Sequence, residues 1–143
     1  MRWLLTSVLV ALLIANFVPT TVSAQEDQGG WAAIPPVVWQ LTYLSSAGAI
    51  GDPGRYSAQF LPDGTVSIKA DCNWVGGFWS GGNGALDVTI STSTLAGCPP
   101  DSLEQPFVQA LQEATGYAVD GVSLVITGPA GEMQFSPAMP AIA

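Results

Sequence analysis

Residues 71–98 read DCNWVGGFWSGGNGALDVTISTSTLAGC, and the rest of the chain can be placed relative to them. They contain both cysteines, the densest run of glycine and aromatic residues, and an alternating strand pattern at 85–90 (ALDVTI). Cys72 ends an earlier alternating segment, TVSIKADC, whose register predicts that Cys72 points inward. A disulfide between Cys72 and Cys98 would therefore join two strands across the glycine-rich segment between them.

The first 24 residues have the pattern of a secretory signal peptide. Arg2 precedes an apolar run, and the sequence VSA ends at Ala24 with the small or apolar residues that a cleavage site requires. The alternative is an uncleaved anchor, but the run from Trp3 to Val18 is shorter than the roughly 20 residues of a membrane-spanning helix. We predict cleavage after Ala24 and a secreted or periplasmic protein. It is not expected to be a lipoprotein, because no cysteine follows the apolar run.

The amino-acid composition excludes several classes of binding partner and of catalytic or metal site. Three basic residues stand against eleven acidic ones in 143 residues, which argues against nucleic acid or anionic lipid as a partner. There is no histidine, so the commonest general base and metal ligand are missing, and two thiols cannot complete a zinc site by themselves. In an oxidising compartment the two cysteines most simply form one disulfide. We therefore expect no cofactor, no metal and a monomer whose partner is an unidentified protein, lipid or small ligand.

The chain divides into a signal peptide (1–24), a flexible linker (25–36), one folded domain (37–136) and a flexible tail (137–143). Within the domain, alternation predicts four strands, then a helix, then three strands. The helix follows Cys98 and carries an apolar stripe of Leu103, Phe107, Leu111 and Ala114. The expected fold is α+β, with a strongly curved antiparallel or barrel-like sheet of about seven strands and one covering α-helix.

The segment 73–84 is the candidate binding loop. Its aromatic side chains would most often pack beneath the loop as a small satellite core. If two of them face water, they form an apolar patch suited to a sugar ring, an acyl chain or a partner protein. Asn73 is interpreted chiefly as a support for the backbone of a turn, with a ligand amide as the alternative. The candidate residues are Asn73, Trp74, Phe78, Trp79 and Asn83.

Catalysis is not predicted. Asp63, Asp87 and Asp120 resemble the paired carboxylates of a glycosidase only in residue type. Asp63 and Asp120 precede glycines in predicted turns, and Asp87 lies on the solvent face of its strand. We therefore interpret all three as structural or surface residues.

Two motifs in order resemble the META domain family of HslJ-like heat-inducible envelope proteins, and the similarity extends over 37–136. They are Cys72-Asn73 with Gly77 and Trp79, and Thr94 four residues before Cys98, followed by Glu104, Phe107, Ala110 and Leu111. One departure is Asp71, where the family usually has glycine. The resemblance implies an exported, non-enzymatic binding domain linked to envelope stress or antibiotic tolerance. The alternative function is a secreted inhibitor of an extracellular hydrolase such as a protease or muramidase.

Overall fold

A computed structural model describes residues 33–139 of the chain. These residues form nine β-strands, one α-helix and a single 3-10 turn at Pro53–Arg55. The elements are β1 (Trp39–Leu44), β2 (Gly48–Ala49), β3 (Tyr56–Phe60), β4 (Thr65–Ala70), β5 (Asn73–Gly82), β6 (Ala85–Ser93), α1 (Glu104–Gln112), β7 (Gly116–Asp120), β8 (Ser123–Gly128) and β9 (Gly131–Pro137).

The sheet is antiparallel and closes on itself. Neighbouring strands follow the order β1-β3-β4-β5-β6-β7-β8-β9, and β1 also pairs with β9, while the short β2 pairs with the end of β1. The predicted antiparallel, barrel-like sheet is therefore confirmed. The predicted number of about seven strands is wrong, because eight strands close the sheet and β2 is a ninth. The weakest junction is between β6 and β7, which pair only at Ala85 and Gly116.

The segment 73–84, predicted as a loop, is mostly strand β5. It pairs with β4 along Asn73–Phe78 and with β6 along Val75–Gly82, and its glycines do not interrupt either ladder. Gly77 lies opposite an irregularity in β6, where a Cβ on it would overlap the carbonyl oxygen of Thr89. Glycine at position 77 lets the backbones of β5 and β6 approach closely. Most glycines of this segment are therefore part of a β-strand and do not mark a loop.

A two-residue turn, Asp71–Cys72, connects β4 to β5. Ala70 and Asn73 pair directly across it, and Asp71 has a φ of 59°. Glycine adopts this left-handed conformation most readily, and Asp is among the residues that tolerate it. Because the strand ends at Ala70, Cys72 lies in the turn and is exposed. The prediction that Cys72 points inward is wrong, and Asn73 takes the buried position.

The helix contributes to the same core as the sheet. Phe107 and Leu111 are fully buried, and the Phe107 ring lies edge-on to Tyr56 at 5.8 Å and tilted against Phe135 at 6.2 Å. Pro106 is tolerated because it is the third residue of the helix, where backbone N–H groups have no intrahelical acceptor. The buried face of α1 thus packs against residues of both β3 and β9.

The domain limits differ from those predicted at both ends. Ile34 is 4% exposed and belongs to the core, and the Pro35 carbonyl accepts a hydrogen bond from Trp39 Nε1, so the linker boundary at Pro36 falls inside the folded part. Pro137 lies in β9, inside the segment predicted as a tail. The predicted signal peptide and residues 25–32 lie outside the described residues. Within 33–139, no helix has both the length and the hydropathy required to cross a bilayer.

Candidate functional site

The Cys72–Cys98 disulfide is present in the structure. It joins the β4–β5 turn to the segment that leads from β6 into α1, with the two Cα atoms 5.4 Å apart. Glu104 lies within 4.8 Å of both sulfurs. Because the sulfurs are bonded to each other, this trio offers only one carboxylate, and cysteines need free thiolates to ligate a metal.

Asn73 is the polar centre beneath the disulfide. It is 2% exposed, and its Nδ2 donates to the Ala96 carbonyl at 3.0 Å and to Glu104 Oε1 at 2.7 Å. Its Oδ1 accepts from the Ala96 backbone N–H at 2.7 Å and from the Thr94 hydroxyl at 2.8 Å. Asn73 therefore has a structural role, although it holds the segment after β6 instead of its own turn. No hydrogen-bonding capacity of the amide is left for a ligand.

The Asp71 carboxylate is held by Arg55 beside the disulfide. Arg55 donates to Asp71 through Nε at 3.0 Å and through Nη2 at 2.7 Å, and it also reaches the exposed Asp101. The hydrogen bonds from Arg55 lower the pKa of the Asp71 carboxyl. In turn, the hydrogen bonds to Asp71, and to a smaller extent those to Asp101, raise the pKa of the Arg55 guanidinium. This bidentate pair stabilises the turn that carries Cys72.

We expect Arg55→Gln to lower the melting temperature at pH 7, with the difference from wild type shrinking as the pH falls below about 4. The folded-state pKa of Asp71 is depressed, so its stabilisation is present above the unfolded-state pKa and is lost on protonation of the folded carboxylate. Melting curves between pH 7 and pH 2 measure this. Asp101→Asn removes the exposed half of the network and should change the melting temperature less. An Arg55→Gln deficit that stays constant down to pH 2 would contradict the assignment.

Two aromatic side chains lie on the outer face of β5. Trp74 is 59% exposed and Phe78 is 58% exposed, and the alternation of the strand places both on the same side with Gly76 between them. The prediction that the aromatic side chains of this segment pack beneath it as a satellite core is therefore wrong for Trp74 and Phe78. Large exposed apolar side chains that share one face are typical of binding surfaces.

The other members of the predicted site lie elsewhere. Trp79 points toward the core, where its ring is edge-on to Phe60 at 5.4 Å and its Nε1 donates to the Leu61 carbonyl. Asn83 is exposed in the β5–β6 turn with a φ of 52°, at the far end of the strand from Trp74. Asn73 is buried, so Trp74 and Phe78 are the only predicted site residues that the described structure brings together on an accessible face.

Sequence analysis missed the polar residues of this face. Ser67 on β4 and Thr92 on β6 are both Cα partners of Gly76, one from each side. With Trp74, Gly76 and Thr94 they line a concavity of about 410 Å³. The alternation of buried and exposed residues along β4 is a signal that could have placed Ser67 on the outer face. Ser67 and Thr92 are brought together only once β5 is recognised as the strand between β4 and β6.

A second concavity lies between α1 and the end of β6. It has a volume of about 420 Å³, with Val75, Ile90 and Val108 among its apolar lining residues. Its polar residues include Gln105 and Gln109, and the Gln109 amide is already bonded to Glu113. This groove contains none of the exposed aromatic side chains of β5.

Comparisons with known proteins agree with this architecture. The sequence model of the META domain matches residues 32–140. A DUF4847 family protein from Bacteroides vulgatus has 15% sequence identity and a TM-score of 0.51, covering 71% of this chain and 92% of its own. A protein from Burkholderia xenovorans, solved by NMR, has 16% identity and a TM-score of 0.53, covering 76% of this chain and 94% of its own. At these identities the two structures support the fold alone. No curated protein matches the sequence.

Proposed function

Because the chain belongs to the META domain family, we propose that it is an exported, non-enzymatic binding domain that contributes to envelope stress responses or antibiotic tolerance. Its contact surface is the outer face of β5. The single observation that carries the proposal is the pair of large aromatic side chains, Trp74 and Phe78, each more than half exposed on one side of one strand.

A binding role without chemistry is supported by the titratable groups. The chain has no histidine, and the pKa values of Asp63, Asp71 and Asp101 are lowered by hydrogen bonds from Thr65 and Arg55. A carboxylic general acid needs a raised pKa, so the environments of these three groups oppose that role. Export is supported by the disulfide, since such bonds persist in oxidising compartments.

The alternative function, an inhibitor of an extracellular hydrolase, would require segment 73–84 to project from the domain as a loop. Strand β5 is paired on both sides, and the β5–β6 turn is tied to β7 by a hydrogen bond from the Tyr117 N–H to the Gly84 carbonyl. No observation therefore favours this function over the first. A stoichiometric loss of activity in a panel of proteases and muramidases would restore it.

We expect Trp74→Ala and Phe78→Ala each to weaken binding to envelope preparations of the protein's own organism by about 30-fold, the effect of truncating a binding hot spot. Co-sedimentation of labelled protein measures the affinity. Both side chains are largely exposed, so the melting temperature should change little.

The matched control is Val122→Ala. Val122 is 75% exposed in the β7–β8 turn, away from β5, so its truncation should leave sedimentation unchanged. The proposal fails if the aromatic variants bind like wild type, or if they unfold the domain and so prove to be core residues.

A further inference from the structure

The outer face of β5 combines aromatic rings with free hydroxyl groups. Trp74 and Phe78 are four residues apart on an extended strand, which places their Cα atoms about 13 Å from each other. Gly76 lies between them and carries no side chain, so the concavity of about 410 Å³ lies next to Trp74. A ligand resting here can contact the two rings at separate points along its length.

The hydroxyl groups flank Gly76 directly. Ser67 and Thr92 stand opposite it on β4 and β6, and neither hydroxyl forms a hydrogen bond with another group in residues 33–139. The Thr94 hydroxyl differs, because it donates to Asn73 and accepts from the Trp74 N–H. Ser67 and Thr92 are therefore free to bond a ligand from both sides of β5.

Gly76 keeps the space between these hydroxyls open. A Cβ on Gly76 would lie 2.8 Å from Thr92 Oγ1, so any other residue would displace the hydroxyl or fill the concavity. This requirement explains a glycine in the middle of a strand, a position where glycine otherwise weakens the sheet.

The residues paired with Trp74, Gly76 and Phe78 carry little charge, although the protein is strongly acidic. The Cα partners of Trp74, Gly76 and Phe78 on the adjacent strands are one lysine and four hydroxyl residues, namely Lys69, Ser67, Thr65, Thr92 and Thr89. The Lys69 ammonium is bonded to the Gly54 carbonyl. The chain has eleven acidic residues, yet none of these partners is acidic. A charged ligand would find no counter-charge cluster here, and an acyl chain would leave the hydroxyls without partners.

On the premise that the proposed function is right, we propose that the ligand of this face is a neutral glycan. A sugar ring has apolar C–H faces and a polar hydroxyl edge, which match the aromatic rings of Trp74 and Phe78 and the hydroxyls of Ser67 and Thr92. The separation of the two Cα atoms, about 13 Å, fits a chain of several sugars lying along β5. Trp74 and Phe78 stack on different rings, and Ser67 and Thr92 bond the sugar that lies over Gly76.

Affinity electrophoresis in native gels tests this directly. The probes are hydroxyethylcellulose, galactomannan and soluble starch, each cast into the gel at graded concentrations. We expect at least one to retard the wild-type protein, Trp74→Ala to weaken the apparent affinity at least about tenfold, and Thr92→Val to weaken it about threefold to tenfold. Thr92→Val keeps the side-chain shape and removes only the hydroxyl. The matched control is Thr127→Val, an exposed strand threonine on β8, which should migrate like wild type.

The outcomes separate the glycan from the binding role. If none of the three polysaccharides retards wild type, the glycan proposal is overturned; the binding function survives if envelope co-sedimentation still depends on Trp74. Envelope binding abolished by prior protease treatment of the envelopes would also overturn the glycan, because it identifies a protein partner. Retardation that Trp74→Ala and Thr92→Val leave unchanged would place the sugar on another surface and overturn the proposal as well.

Discussion

Removing the Cys72–Cys98 disulfide is expected to lower the free energy of unfolding by about 3.5 kcal/mol, the loop-closure value for a sequence separation of 26 residues. A domain of this size has a total stability on the order of 5–15 kcal/mol, so the loss is a large share. The bond also holds the segment after β6 against the β4–β5 turn, where the amide of Asn73 binds that segment.

Urea unfolding of the oxidised protein and of the variant carrying both Cys72→Ser and Cys98→Ser measures this effect. Reduced wild type is the control, because it has lost the bond but keeps the cysteine side chains, and it should unfold at nearly the midpoint of the serine variant. Coincident midpoints for oxidised wild type and the serine variant would show that the bond adds no stability.

The second large effect is expected from Asn73→Ala, which should cost about 3 kcal/mol of unfolding free energy. The substitution leaves the N–H and C=O of Ala96 and the carboxyl of Glu104 without the partner that holds them in a partly buried site. It also removes the acceptor of the Thr94 hydroxyl. Groups that are partly shielded from water regain only part of their hydration when the amide is removed.

Chemical denaturation compares this variant with Asn83→Gly. Asn83 is exposed and has a φ of 52°, a conformation that glycine adopts freely, so this control should change stability by less than about 0.5 kcal/mol. Equal losses in the two variants, or a negligible loss in Asn73→Ala, would contradict the central role of the buried amide.

Much of the sheet could be predicted because its strands alternate. In β4, Val66, Ile68 and Ala70 are buried while Ser67 faces outward, as period two requires. The helix could be predicted equally well, because Phe107 and Leu111 are four residues apart, which places them on one face of a helix, and both are buried. A local pattern sufficed in these elements because burial follows directly from the period of the backbone.

Strand β5 was missed because its apolar pattern is diluted by glycine. Glycine has low strand propensity and usually marks a loop, so WVGGFW resembles an irregular segment. In the folded chain the ladders to β4 and β6 impose the extended conformation, and Gly77 is required by the close approach of the Thr89 carbonyl. The extended conformation of β5 is imposed by its neighbouring strands, and the short stretch of sequence around β5 does not include them.

The sequence alone determined the class of the fold, the pairing of the two cysteines and the residue types of the candidate surface, because alternation, cysteine count and composition are properties of the chain itself. Tertiary structure decided which way each of these residues faces. The turn at Asp71 ended β4 before Cys72, which exposed Cys72 and buried Asn73. Pairing on both sides of β5 turned Trp79 inward and left Trp74 and Phe78 in solvent. One residue of register exchanges the two faces of a strand, and register is set by hydrogen bonds to strands that are distant in the sequence.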